Sequence, residues 1–171
     1  MLNCIKADST KYFSWGDTKG RNKNGSGSYV FDNDSYQAGY SGSGHNLSGD
    51  IPQGNTTYDA ATANMGSRWK MPTKTQLQEL ISNTTHEWIS ANGIYGRKFT
   101  SKSDSTKYIL LRATGVWNDT NHVATTTAGN YWSTTWYSTS DAYHMNFGSN
   151  NNDIHVWNSQ RRYGFTIRPV Q

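Results

Sequence analysis

Side chains suited to molecular contact alternate with apolar residues in the last third of the chain. Residues 142–147 and 153–157 both follow the two-residue period of a β-strand, in which successive side chains point to opposite faces. One face collects Met145, Phe147, Ile154 and Val156, and the other collects His144, Asn146, His155 and Trp157. An exposed sheet face usually carries small polar or charged groups. Imidazole, carboxamide and indole groups on that face therefore predict a surface that binds a ligand by stacking and hydrogen bonding.

The same residue types continue on both sides of these two runs. They are the types enriched in binding hot spots and in antibody-like loops. The candidate ligand-binding residues are Trp136, Tyr137, Tyr143, His144, Asn146, Asn150, Asp153, His155, Trp157, Ser159, Arg162 and Tyr163. Trp132 is in phase with a strand interior and is expected in the core. Trp157 is out of phase with Ile154 and Val156 and is expected at the surface.

Metal-binding patterns are weak in this sequence. None of the five histidines has the spacing of familiar zinc ligands, and Cys4 is the only cysteine. A hairpin that placed His144 opposite His155 would still pair two imidazoles. Four aspartates, Asp104, Asp119, Asp141 and Asp153, lie in loops rich in Ser, Asn and Gly. Calcium is thus a minor alternative, because single carboxylates in such loops usually cap turns.

No catalytic pattern is present either. The sequence has no Gly-x-Ser-x-Gly elbow, and Cys4 has no histidine near it. The glycine-serine pieces at 25–28 and 42–44 precede no helical pattern, so they do not predict a phosphate-binding loop. We therefore expect a protein that is not an enzyme and that carries no cofactor.

Composition predicts one domain spanning residues 1–171 with many loops. Hydrophobic residues make up only 33% of the 171 residues, but aromatic residues make up 13%, so a few large side chains can supply the core. The net charge of +4 is modest and scattered, which does not favour nucleic-acid binding. No run approaches the ~20 apolar residues of a membrane span, so membrane insertion is not expected. The first residues lack the apolar segment of a signal peptide, so an extracellular role implies a larger particle or an excised domain.

Two short helices are predicted in the middle of the chain. Thr57 is placed to cap a helix over 58–65, with Gly66 at its C-terminal end. Thr73 and Gln76 form the capping-box pattern of a second helix. The apolar face of that second helix is formed by Leu77, Leu80 and Ile81.

Strands are predicted before and after the helices. The segment 12–17 is an apolar-aromatic first strand or core anchor, and 19–55 is a long loop-rich insert. Asn92-Gly93 predicts a hairpin turn between strands at 87–89 and 96–99. Further strands are predicted at 108–111, as a central buried strand, at 131–135, in the two alternating runs and at 164–170. The predicted class is α+β, with two short helices packed on a twisted, mainly antiparallel sheet.

Four ordered blocks of this chain resemble one known family. Residues 12–18 resemble its YFAWGET signature, and residues 58–73 resemble its DAA…GG.WRMPT block, which is followed by ELI. Residues 131–135 resemble YWSST, and residues 164–170 resemble GFSVRPV. This is the Fibrobacter succinogenes major paralogous type of domain, found in Bacteroides-like bacteria and their phages. The resemblance covers nearly the whole chain outside 19–55 and implies a C-type lectin-like fold, related to that of the formylglycine-generating enzyme.

The resemblance also implies a function. Relatives of this fold serve as variable proteins of diversity-generating retroelements, whose adenine-directed mutagenesis replaces chosen residues near the C-terminus. Most of the outward residues are of the amino-acid types that this mutagenesis produces, and residues from about 117 to 171 would form the variable region. Tryptophan at position 157 is not one of these types unless its template codon is AAG. The partner implied is a host cell-surface protein or glycan, bound at a phage tail-fibre tip or a bacterial cell surface, with a trimer as the oligomer suited to a fibre.

Two alternatives accompany that expectation. The first is a module of a bacterial surface protein that binds a carbohydrate or a protein with fixed specificity. The second is an enzyme of the formylglycine type, which the resemblance disfavours because this chain lacks the copper-binding cysteine pair. Residues 117–119 match the Trp-Asn-Asp tripeptide of calcium-dependent lectins, but the Glu-Pro-Asn partner motif and the family disulfides are absent.

Overall fold

The structure is a computed structural model that describes residues 11–22, 47–118, 120–150 and 153–171. Most of the predicted insert at 19–55, together with Cys4, His45 and Asp119, lies outside these residues. The elements in chain order are β1 (Lys11–Tyr12), β2 (Arg21–Asn22), α1 (Ala60–Met65), α2 (Lys74–Ser82), β3 (Thr84–Ala91), β4 (Ile94–Ser101), β5 (Tyr108–Arg112), β6 (Val116–Asn118), β7 (Asn121–Val123), β8 (Ala128–Trp136), β9 (Asp141–Gly148) and β10 (Ile154–Gln160). The predicted α+β class is confirmed.

The strands form four antiparallel sheets within the described residues. One three-stranded sheet has the order β10-β9-β8 and the other has the order β3-β4-β5, and β1-β2 and β6-β7 are two-stranded ribbons. The predicted strand at 108–111 exists, but β5 lies at an edge and Tyr108 is 55% exposed, so the prediction of a central strand is wrong. The central strand is β4, because its chain neighbours β3 and β5 pair with its two sides.

The core has two main clusters of buried side chains. The first contains Phe13, Trp15, Trp132 and Phe165, and the second packs Leu77 of α2 against Met145 and other residues. Two indoles join the N-terminal segment to β8 reciprocally. Nε1 of Trp15 donates to the carbonyl of Ser133 at 2.8 Å, and Nε1 of Trp132 donates to the carbonyl of Phe13 at 2.8 Å. The predictions of a core anchor at 12–17 and of a buried Trp132 are thereby confirmed.

The two helices begin with different caps. Asp59, not Thr57, caps α1, and its fully buried carboxylate also accepts hydrogen bonds from the main chain of Gly54 and Met71. Thr57 precedes the helix because residues 55–58 form turns instead of a helical turn. The capping box of Thr73 and Gln76 on α2 is confirmed.

The turn at Asn92-Gly93 and the C-terminal segment 164–170 differ in how well the sequence predicts them. Asn92 and Gly93 have φ angles of 52° and 72°, so the predicted two-residue hairpin turn is confirmed. The predicted strand at 164–170 is instead a series of short bridges, in which Phe165 pairs with Phe13 and Val170 pairs with Lys70. This segment runs from one partner to another, so it cannot form one continuous ladder. In the part of the chain that the structure describes, no helix is long and apolar enough to cross a membrane.

Candidate functional site

The pairing of β9 with β10 sorts their side chains as the alternation predicts. Val156 lies opposite Met145 and Ile154 lies opposite Phe147, and these four residues pack in the cluster that contains Leu77. On the other face, His155 lies opposite Asn146 and Trp157 lies opposite His144. His144 and His155 therefore do not face each other, and the predicted two-imidazole pairing is wrong because the register offsets them by two residues.

This outward face borders an open groove of about 410 Å³. The groove is lined by Val116, Asn130, His144, Asn146, Trp157, Asn158, Ser159, Tyr163 and Phe165. Five of the candidate residues are among them, namely His144, Asn146, Trp157, Ser159 and Tyr163. The described lining contains no Asp, Glu, Lys or Arg. The groove thus offers aromatic rings and neutral hydrogen-bonding groups.

His144 lies at the base of this groove and is only 4% exposed, so the expectation of an exposed His144 is wrong. Its ring packs against Trp132 and Phe165, at centroid distances of 5.7 Å and 4.6 Å, and these two rings also contact each other. Burial lowers the pKa of His144 from 6.5 to about 4, and a hydrogen bond to the backbone of Trp157 acts in the opposite direction. The imidazole is therefore neutral at pH 7. Within the described residues, its Nδ1 is buried and has no hydrogen-bond partner.

Two asparagines form a short hydrogen-bonded chain along the groove. Nδ2 of Asn146 donates to Oδ1 of Asn130 at 2.9 Å, and Nδ2 of Asn130 donates to the carbonyl of Gly115 at 3.1 Å. Each amide group is oriented by its partner, because a flipped amide would place two donors or two acceptors together. Oδ1 of Asn146 is left as an acceptor for other groups.

A row of side chains continues along β10 from the groove. Trp157 is 52% exposed, which confirms its expected surface position. Its indole lies 4.4 Å from the ring of His155, measured between centroids. Nε2 of His155 in turn lies 3.4 Å from Oδ1 of Asp153. The predicted residues Asp153, His155 and Trp157 are thus neighbours on one surface.

Tyr163 lines the groove, and Arg162 precedes it in the chain without entering the lining. The guanidinium of Arg162 lies 4.8 Å from the centroid of the Tyr163 ring. It also donates to Oε1 of Gln160 at 2.8 Å and to Oδ1 of Asn118 at 2.7 Å. These neutral partners hold the charge beside the groove and outside its lining.

Three candidate residues lie away from the groove. Tyr143 shares the strand parity of Met145 and lies under Lys74, the first residue of α2, whose Nζ is 3.7 Å from the ring centroid. Tyr137, which is 49% exposed, contacts Tyr143 edge-on at 5.3 Å. Trp136 packs partly buried against the first core cluster. The twelve candidates therefore do not form one site, because strand parity turns Tyr143 toward the helix side of the sheet.

The turn between β9 and β10 is held from below by a residue that the sequence did not single out. Arg97 of β4 is fully buried, and its Nη2 donates to the carbonyls of Gly148 and Asn150. The side chain of Asn150 is exposed, as expected, while its main chain is fixed by Arg97. The signal available in the sequence was the charged Arg97, which shares a strand face with the apolar Phe99. Asn130 and Asn158 of the groove were also missed, and both stand among strand residues where an amide is unusual.

The aspartates proposed for calcium are engaged in turns or in a side-chain pair. The side-chain hydrogen bond from Thr106, followed by the contact with Lys107 at 3.1 Å, lowers the pKa of Asp104 to about 2. Asp141 accepts hydrogen bonds from nearby serines, and Asp153 lies beside His155. Among the described residues, no group of three His, Cys, Asp or Glu side chains could hold a metal ion. Trp117 of the Trp-Asn-Asp tripeptide is buried and stacks on His122 at 4.6 Å.

Comparisons with known proteins do not name this site. No family model, no curated protein sequence and no solved structure matches this chain.

Proposed function

We propose that this chain is a non-catalytic binding domain that uses the groove and the row Asp153, His155 and Trp157 as its contact surface. The observation that carries the proposal is Trp157, an indole left 52% exposed beside an uncharged groove. Exposing a large aromatic side chain has no benefit for stability, whereas tryptophan is the residue most enriched in binding hot spots. The hairpin that carries it is anchored by the hydrogen bonds of Arg97 and by its packed apolar face.

The family resemblance supports a finer proposal, that of a C-type lectin-like variable protein of a diversity-generating retroelement. In such a protein, exposed positions can change without loss of the fold, whereas buried positions cannot. Asn150, Trp157 and Tyr137 are exposed and are the positions best suited to variation. His144 is buried and belongs with the constant scaffold. The proposed location is extracellular, at a phage tail-fibre tip or a bacterial cell surface, with a host surface protein or glycan as partner.

A comparison of the coding DNA tests the retroelement proposal. A nearby near-repeat of the segment for residues 117–171, with differences confined to template adenines, would support it. Absence of such a repeat would overturn it and leave a binding module of fixed specificity. The template codon aligned with Trp157 tests the proposal most strictly, because an AAC or AAT codon cannot give tryptophan by adenine changes alone.

A binding measurement tests the surface itself. We expect the purified protein to bind intact cells of its host range and to lose this binding when Trp157 and His155 are both changed to alanine. The matched control is Tyr108→Ala, because Tyr108 is 55% exposed on the other three-stranded sheet. Equal binding by the double variant and the control would contradict the proposal.

A further inference from the structure

We infer that the groove binds one neutral sugar ring, which stacks on Trp157 and donates hydroxyl hydrogen bonds to Asn146 and His144. This inference rests on the proposed function, because it names the ligand class of the same surface. Three properties of the groove carry it, namely its lack of charge, its acceptors and its aromatic walls.

The charge of the groove argues for a neutral ligand. Its described lining residues include no Asp, Glu, Lys or Arg, its His144 is neutral at pH 7, and the guanidinium of Arg162 bonds to Gln160 and Asn118 outside the lining. A carboxylate or phosphate ligand would lose its hydration without a cation to replace it, and an ammonium ligand would lack a carboxylate. A volume of about 410 Å³ lies within the usual range for small-molecule sites.

The polar atoms of the groove favour a ligand that donates hydrogen bonds. The bond from Asn146 to Asn130 leaves Oδ1 of Asn146 as an acceptor. A neutral imidazole has one N–H and one lone pair, and the bond from the His144 ring to the backbone of Trp157 leaves the lone pair on Nδ1. Nδ1 is buried and has no partner in the described residues. A ligand donor that bonded to it would therefore remove the free-energy cost of leaving a buried acceptor without a hydrogen bond. His144 itself lines the groove, and Trp157, directly opposite it on β10, is half exposed.

The aromatic walls distinguish a sugar from an extended peptide. Trp157 and Tyr163 add aromatic rings to the lining that holds these acceptors, which suits a ligand ring with C–H groups on one face and hydroxyls at its edge. An extended peptide bound by strand addition would instead pair with free main-chain groups at a sheet edge. The polar groups in this groove come from side chains on the face of the sheet.

The experiment uses the whole chain and simple methyl glycosides. Methyl β-D-glucoside, methyl β-D-galactoside and methyl α-D-mannoside are titrated separately while amide, imidazole and indole resonances are followed by NMR. We expect saturable shifts at Trp157, Asn146 and His144 for at least one sugar, unchanged by EDTA because no carboxylate lines the groove. The charged analogue methyl β-D-glucuronide should bind more weakly than methyl β-D-glucoside.

Two variants and one control complete the test. Trp157→Ala should weaken sugar binding about tenfold or more, and Tyr108→Ala should leave it unchanged. His144→Phe keeps a ring of similar shape and should weaken binding by about threefold to tenfold through loss of the acceptor. Folding of each variant is checked by near-UV circular dichroism. Unchanged affinity in Trp157→Ala, or equal affinity in His144→Phe, would overturn the proposed contacts.

A parallel selection separates failure of this inference from failure of the proposed function. Peptides displayed on phage are selected against the same protein, with Trp157→Ala as the counter-selection. No sugar binding together with peptides that require Trp157 would overturn the sugar inference and retain the binding surface. Neither sugar nor peptide binding would overturn both.

Discussion

Trp157 and His144 lie directly opposite each other on β10 and β9, yet Trp157 is 52% exposed and His144 only 4%. The two side chains point to the same face of the sheet. His144 is covered because Trp132 and Phe165 pack against its ring, while the aromatic contact of Trp157 is with His155 on the same outward face. The pair therefore divides the face into a buried base that the fold requires and an exposed residue that is free for contact.

This division predicts unequal effects on stability. Combined alanine replacement of Tyr137, His155 and Trp157 should change the free energy of unfolding by about 1 kcal/mol or less, because these side chains lie at or near the surface. His144→Ala alone should lower it by about 1–3 kcal/mol, because it leaves a cavity beside Trp132 and Phe165. Urea unfolding of both variants checks this. A greater loss in the triple variant would show that the three side chains belong to the core.

The buried imidazole predicts a pH dependence of stability. The pKa of His144 is about 4 in the folded protein and 6.5 when unfolded, so below pH 6.5 the unfolded chain takes up the proton first. The stability linked to His144 is thus complete above pH 6.5 and is lost as the pH falls toward 4. The loss should reach about 3 kcal/mol. His144→Phe should lack this component, as measured by urea unfolding between pH 4 and 7.

Other groups that titrate between pH 4 and 7, such as His86, also contribute to the pH dependence of stability, so the wild type must be compared with His144→Phe. Burial and Arg97 also lower the pKa of His86, so part of the pH dependence is shared by the wild type and the variant. The difference between the two proteins isolates His144. Parallel curves from pH 4 to pH 6.5 would contradict the prediction.

Arg97 holds the β9–β10 turn through its hydrogen bonds to Gly148 and Asn150, so its loss should destabilise the fold more than loss of its neighbour Lys98. Arg97→Met should lower the free energy of unfolding by about 2–4 kcal/mol, because it removes the donor to two main-chain carbonyls. It should also speed amide hydrogen exchange at Gly148 and Asp153, whose N–H groups close this turn. Lys98→Met is the matched control, since Lys98 forms a surface pair with Glu87 at 3.1 Å and lies 5.0 Å from the centroid of the exposed Tyr108 ring, and it should contribute about 1 kcal/mol or less. Similar losses in both variants would exclude a clamping role for Arg97.

The hairpin turn predicts a contrast between two glycines. Gly93 has a φ of 72° with open space around its Cα, so Gly93→Ala should lower the free energy of unfolding by about 1 kcal/mol through backbone strain alone. Gly49 also has open space but lies outside the positive-φ region. Gly49→Ala should change stability by about 0.5 kcal/mol or less. Thermal unfolding measures both, and equal effects would rule out strain at the turn as the cause.

Local features of the fold were predictable because their causes lie close together in the sequence. The capping box of Thr73 and Gln76 spans three positions and needs no distant partner. The Asn92-Gly93 turn follows from the tolerance of these two residues for positive φ. Alternation along β9 and β10 also assigned Met145 and Val156 to one face, because the pleat reverses direction at each residue.

Errors arose where a distant segment decides the outcome. The sequence predicts Thr57 as the cap of α1, but the cap is Asp59, whose carboxylate accepts a hydrogen bond from the main chain of Met71 twelve positions away. The strand at 164–170 was predicted from its own pattern, but its partners include Phe13 and Lys70. Local sequence carries no information about which distant main-chain groups will be within reach.

The sequence by itself determined which side of the sheet each residue of the C-terminal hairpin faces, because parity is a local property of the backbone. Only the tertiary structure decided which of those residues are exposed. Phe165 and Trp132 reach His144 from other segments and bury it, while Trp157 is left open beside the groove. Burial depends on contacts between residues far apart in the chain, and no periodicity encodes those contacts.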